Sequence, residues 1–307
     1  MIPFIETLLP LRLRLWLGSL VFRTLGPTTV RVSWHRVIKG PCEPPEVEAM
    51  QYVASHTTVP VPTVYAVHTQ KNGCIYIEMA YVPGQCLDSL WSSLSTGQRD
   101  QVVADIKQHL SELRKLEPPA QSMVCSALQN PAHDYRIGAR FFGPLNHDEF
   151  HSLARGHLRM EDVAPFLGEE VAKVHTTRYR TCFTHADLVP RNILIEGGRV
   201  AAIIDWGLAG WYPEYWEFTK AHYSHLFDQD WEDCLRLALP SYEVELLAEG
   251  ILWEKLPEPG TLTISCHDGV WSERKGSDPS ASWLESRKGR QSTDLWSLAL
   301  SKEQRHQ

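Results

Sequence analysis

Two aspartates eighteen positions apart, with an asparagine between them, are the residues whose types and spacing best support chemistry. The stretch His185-Ala186-Asp187-Leu188-Val189-Pro190-Arg191-Asn192 is followed by Asp205-Trp206-Gly207. Phosphoryl transfer from ATP demands such a set. The polyphosphate needs a divalent cation to neutralise it, and Mg2+ takes hard oxygen ligands. Asp205 offers a carboxylate and Asn192 an amide oxygen for that ion. A second carboxylate, free of the metal, must orient an acceptor hydroxyl and take its proton, and Asp187 is the candidate. His185 is read as shaping the loop by a hydrogen bond to the backbone of the aspartate. H-x-D-x-x-x-x-N alone recurs by chance; the aspartate at a fixed later offset makes the combination specific.

The elements that must position these residues follow from local pattern. FTHADLVPRNILIEGGRVAAIIDWG reads as loop, strand, Gly-Gly turn and strand, a hairpin that makes its two outer ends neighbours. Asp205 then emerges from the apolar run VAAII. Upstream, residues 28–38 (TTVRVSWHRVI) favour strands, GPCEPP breaks them, and EVEAMQYVASH has helical spacing at Val47, Met50 and Val53. TTVPVPTVYAV enters extended, and Asn72-Gly73 marks a hairpin leading into CIYIEMAYV. Thr96 is expected to cap a helix with Val102, Val103, Ile106, Leu110 and Leu113 on one stripe. EEVAKVHTT is a further helix, and WEDCLRLALPSYEVELLAEGILW is helical with a break at Pro240. Residues 117–160 show weak periodicity and receive no assignment.

Composition narrows the function. In 307 residues, 43% hydrophobic and 22% charged, the chain can bury one large core or two lobes. A net charge of -7 argues against nucleic acid as the main partner. The seven cysteines are scattered without a C-x-x-C pair, which points to reduced thiols in the cytoplasm. Arg12 and Arg14 interrupt the apolar N-terminal run, so no transmembrane segment is expected, and a helix packed on the domain behind it is preferred to attachment at a membrane surface.

HADLVPRN with IIDWG resembles the catalytic and metal loops of the protein-kinase-like fold. FTHADLVPRNIL, IIDWGLAGWYPEYWE and EVEAMQYVASHTTVPVPTVYAV resemble the aminoglycoside phosphotransferase family, in particular its fungal members of unassigned substrate, over about residues 30–250. The resemblance implies an α+β, two-lobed fold: an N-terminal helical segment (1–27), an antiparallel-sheet N-lobe that binds nucleotide (28–84), a mainly helical C-lobe with the catalytic and acceptor sites (85–256), and a poorly ordered tail (257–307). It implies that Lys39 holds the α- and β-phosphates of ATP and that Glu46 pairs with it, with Glu48 as rival. Met79 would sit behind the adenine, with backbone groups of Ala80 and Val82 on its edge.

There is no G-x-G-x-x-G before Lys39. Val189 stands where many protein kinases have lysine, so Arg191 is the group that would meet the transferred phosphate. Only five residues separate Gly207 from Pro213-Glu214, which leaves no peptide platform and favours a small-molecule hydroxyl. Glu214 and Glu217, with Trp206, Trp211, Tyr212, Tyr215 and Trp216, could form an acceptor wall suited to a cationic ligand; for the aromatics, core packing below the loop is the preferred reading. The expected function is ATP-dependent transfer to a small hydroxylated acceptor. A choline/ethanolamine-kinase-like enzyme, a pseudokinase acting as a binding module and, disfavoured by the short segment, a protein kinase are the alternatives.

Overall fold

The computed structural model describes residues 9–22, 24–223, 229–256, 262–267 and 270–275. Its small lobe is built on a four-stranded antiparallel sheet of order β1-β2-β4-β3. Helix α1 (Leu11–Val21) precedes β1 (Thr29–Arg31) and β2 (Arg36–Cys42). Helix α2 (Pro44–His56) crosses to β3 (Val64–Thr69), and a turn at Asn72-Gly73 leads into β4 (Ile75–Ala80). Prolines at the start of α2 suit its first turn, where the missing N–H is no loss.

Helix α1 packs on the small lobe through an unexpected face. Its buried residues are Arg14 and Gly18, while Trp16, Leu20 and Val21 are exposed. The cause is Glu78, buried at the centre of the sheet. Arg14 reaches it with two hydrogen bonds of 2.7 and 2.8 Å, and Arg36 and His68 add contacts of 2.7 and 3.0 Å. A buried carboxylate must be paired, so the arginine faces inward and the apolar residues turn out.

In the large lobe, β5 (Gln85–Cys86) pairs with the hairpin around Gly197-Gly198, and α3 (Thr96–Leu113) buries the predicted stripe. The cap of α3 is Ser95, not Thr96. Its side chain accepts from Gln98 N while Gln98 returns a bond to Ser95 N, a reciprocal capping box. Residues 117–160 hold short elements: β6 (Met123–Val124), β7 (Ala132–Asp134), β8 (Gly138–Phe142), β9 (Leu145–Asn146) and α4 (His147–Ala154). Strands of two to five residues are too short to show a period, which is why the sequence there is silent.

Helices α5 (Met160–Leu167) and α6 (Glu169–Thr176) lead to β10 (Thr181–Thr184), then β11 (Ile193–Glu196), β12 (Arg199–Ile203) and β13 (Gly210–Pro213). Helices α7 (Trp216–Ala221), α8 (Gln229–Ala238) and α9 (Glu243–Lys255) close the lobe, the last two separated around Pro240. Part of the expected tail is structured. β14 (Leu262–His267) and β15 (Val270–Lys275) form an antiparallel pair, and Ile264 of β14 pairs with Phe141 of β8. The rest of residues 257–307 lies outside the described residues.

Candidate active site

The β11–β12 hairpin does what the spacing demands. Ile193 pairs with Ile203, and Ile204 N–H donates to the Asn192 carbonyl at 2.9 Å, so Asn192 and Asp205 leave adjacent strand ends. Asp205 sits in the left-handed region at φ 67°, ψ 59°, which turns the chain sharply out of β12.

The loop before the hairpin is fixed from below. Ala186 is also left-handed, at φ 62°. His185 N–H donates to Glu217 Oε2 at 2.6 Å and Ala186 N–H to Glu217 Oε1 at 3.1 Å. The His185 ring accepts the Asp187 N–H on Nδ1 at 3.2 Å, which leaves Nε2 to donate to the Ile204 carbonyl at 3.1 Å. One histidine thus ties the Asp187 backbone to the strand end before Asp205. Asn192 Nδ2 donates to the Asp187 carbonyl at 2.9 Å and to its Oδ2 at 2.8 Å. Arg191 lies 3.4 Å from both Asp187 carboxylate oxygens, with its side chain 49% exposed and therefore free to turn to another anion.

Across the cleft, β2 brings Lys39 to the same place. Its Nζ is 2.5 Å from Glu46 Oε1 and 2.7 Å from Asp205 Oδ1. Burial alone would lower the lysine's pKa, but Glu46 first and then Asp205 outweigh it and raise it, so Lys39 stays protonated. Glu46 makes the lysine pair; Glu48 does not, and binds elsewhere. Met79 is buried on β4 between Val37 and Val64. The Ala80 N–H is already spent on the Thr63 carbonyl at 2.9 Å, so any adenine contact of Ala80 falls to its carbonyl. Val82 makes no backbone hydrogen bond among the described residues, which leaves its groups for a ligand.

Among the described residues, no cluster of three or more His, Cys, Asp or Glu could hold a metal ion. Two hard oxygens are carried by the adjacent strand ends. With Asn192 Nδ2 donating to Asp187, its amide oxygen remains an acceptor, and Asp205 Oδ2 is left over from the Lys39 contact. That pair fits Mg2+ when nucleotide phosphates complete the shell.

The aromatics are core, the reading preferred over an acceptor wall. Trp206, Tyr212, Tyr215 and Trp216 are 0% exposed and Trp211 1%. β13 is buried on both faces because it pairs with β10 beneath the catalytic loop. Glu217 is the support of that loop, and Glu214 is held by Arg180 at 2.9 Å and Tyr242 at 3.1 Å. Sequence reasoning missed Tyr135, between β7 and β8. It is 61% exposed and flanked by two fully buried residues, Asp134 paired with Lys220 at 2.6 Å and Arg136 with Glu249 at 3.1 Å. Burial first, then the charges of Asp205 and Asp187, raise its phenol pKa.

An antiparallel sheet and a helical lobe, facing each other across a lysine, two aspartates and an asparagine, define a protein-kinase-like fold. The sequence profile of the phosphotransferase enzyme family matches residues 42–253, and the chain belongs to that family. Solved structures agree on the fold. Aminoglycoside 2'-phosphotransferase-IIIa in its GDP complex is 15% identical, with a TM-score of 0.51 over 74% of this chain and 79% of that one. ADP-bound APH(2'')-Ib is 14% identical, with a TM-score of 0.50 over 80% and 86%. A thermostable mutant of APH(4)-Ia with AMP-PNP and hygromycin B is 16% identical, with a TM-score of 0.50 over 79% and 88%. A search of curated proteins gives no match.

Proposed function

We propose that the protein transfers the γ-phosphoryl group of ATP to a hydroxyl of a small molecule. The observation that carries this reading is Lys39, whose ammonium bridges Glu46 and Asp205 across the cleft from Asp187 and Asn192. Lys39 would exchange Asp205 for the α- and β-phosphates while Glu46 keeps its stem aimed. Asn192 and Asp205 would hold Mg2+, which when bound neutralises charge on the phosphate oxygens. Asp187 orients the acceptor hydroxyl and takes its proton as the new O–P bond forms; the bond from the γ-phosphorus to the bridging oxygen breaks and ADP leaves. Arg191 turns from Asp187 toward the transferred group. Ala80 and Val82 would meet the adenine edge, with Met79 behind it.

A small acceptor is favoured because the stretch after Gly207 goes straight into buried strand β13, with no surface on which to lay a peptide. Among the described residues no helix is long and apolar enough to cross a membrane, and six cysteines are free. Both facts, with the demand for ATP, support a cytoplasmic site of action. The test is ATP consumption with a panel of hydroxylated amines and sugars, hygromycin B and choline included, scored by 31P NMR for a phosphate monoester. A new monoester that requires both ATP and Mg2+ supports the reading. MgATP binding without product from any panel member favours a pseudokinase.

A further inference from the structure

Glu48 is a half-buried acid that the phosphoryl-transfer chemistry does not use, and its position is unusual. It follows Glu46 by two residues on α2, so the two carboxylates leave the helix in nearly opposite directions, about 200° apart at 100° per residue. Glu46 points to Lys39 within its own lobe. Glu48 points into the other lobe, at the turn formed by residues 126–130.

That turn is closed on itself. Ser126 N–H donates to the Asn130 carbonyl at 2.8 Å, and Asn130 N–H donates to Ser126 Oγ at 3.0 Å. Glu48 accepts from the Ser126 hydroxyl, from Asn130 Nδ2 at 2.8 Å and from Leu128 N–H at 3.4 Å. Ser126 is fully buried. The turn is bound in its turn to the strand that follows the metal aspartate. Cys125 and Trp211 exchange backbone hydrogen bonds of 2.8 and 3.2 Å, and only a glycine fits at Gly210, where a Cβ would strike the Cys125 carbonyl. Beside this contact, Tyr52 of α2 stacks on Phe183 of β10 at 5.5 Å. Apolar stacking holds the helix close but tolerates sliding; three hydrogen bonds to one carboxylate fix its rotation.

We propose that Glu48 is a positioning residue for the nucleotide lysine: by gripping the 126–130 turn it holds α2 at the rotation that keeps Glu46 against Lys39. The helix is thereby locked in place by the large lobe rather than left to swing. This inference rests on the phosphotransferase reading only for its nucleotide readout.

The test measures MgATP affinity by calorimetry for the wild type, Glu48→Ala, Glu48→Gln and Asn130→Ala, with folding checked by circular dichroism. Glu48→Ala is expected to weaken MgATP by about 3–10-fold and Asn130→Ala by about 2–4-fold, the scale of charge-assisted bonds partly transmitted. Glu48→Gln, which keeps shape and one acceptor, should lie between wild type and Glu48→Ala. The loss should vanish in a Lys39→Ala background, because Glu48 acts through that lysine. Affinity of Glu48→Ala within twofold of wild type overturns the proposal, as does an equal loss in the Lys39→Ala background. Should Glu48→Ala fail to fold, Asn130→Ala cuts the same contact from the other side and is judged by the same criteria. Should the wild type bind no MgATP, the functional reading fails instead, and hydrogen exchange decides on the latch. Faster exchange of residues 44–56 in Asn130→Ala then supports it, and unchanged exchange overturns it.

Discussion

The rim of the catalytic cleft and the floor beneath it both carry carboxylates, and they are built in opposite ways. On the rim, Asp187 and Asp205 have side chains 22% and 47% exposed, and in the proposed function their cationic partners Arg191 and Lys39 exchange them for phosphate. On the floor, Glu217 is 1% exposed and holds two backbone N–H groups that cannot move away, and Asp134 is 0% exposed against Lys220 and the Trp216 indole. A carboxylate that must bind a ligand keeps replaceable partners; one that must hold a loop keeps fixed ones. The comparison assigns roles where residue type alone does not, since all four are simply acids in the sequence.

Mutations sharpen the contrast. On the rim, Asp205→Asn is expected to lower turnover by roughly 10²–10³-fold, the scale of losing one aimed electrostatic group, while thermal unfolding stays near wild type. A large loss of melting temperature there would erase the distinction. On the floor, Glu217→Gln should cost roughly 3 kcal/mol of stability, because its amide N–H₂ would confront a backbone N–H in a dry site. Chemical denaturation reads this directly, and an unchanged midpoint would contradict its role as the support of the loop.

A third carboxylate tests the floor's logic in the other lobe. Burial tends to raise the Glu78 pKa, but hydrogen bonds from Arg14, Arg36 and His68 outweigh it and bring it down to about 2. A folded-state pKa below the ordinary carboxylate value means that this stability is present above about pH 5 and is lost as pH falls toward 2. The loss should be on the order of 2 kcal/mol for the wild type over that window and should be missing from the pH slope of Glu78→Gln. Smallest of all, Arg191→Ala should change stability by less than about 0.5 kcal/mol, because its contact with Asp187 is long and exposed. A larger change, read by denaturant titration, would make Arg191 part of the floor.

The same contrast explains what the sequence could disclose. The hairpin and its three oxygen-bearing residues were legible because Gly197-Gly198 marks the turn and the strands on either side are short and apolar. Lys39 and Glu46 were legible only through family resemblance, since a lysine before a turn and a glutamate at a helix start are commonplace. The aromatic run WYPEYW is core, as the preferred reading of the sequence had it, and not a wall for the acceptor. Without polar alternation it carries the pattern of a strand covered on both faces, and β13 is such a strand. Arg14 turned inward for a partner 64 residues away, a distance no local pattern spans. Tyr135 was hidden because its anchors, Lys220 and Glu249, lie far along the chain from the turn they secure.

The central claim is that Asp187 is the base and touches the acceptor rather than the nucleotide. The measurement that meets it most directly compares Asp187→Asn with wild type for ATP turnover with whichever panel alcohol is phosphorylated, and for MgATP affinity by calorimetry. The account predicts turnover reduced by roughly 10²–10⁴-fold with affinity within about threefold of wild type. Turnover equal in the two proteins, or nucleotide binding lost along with it, would contradict the assignment.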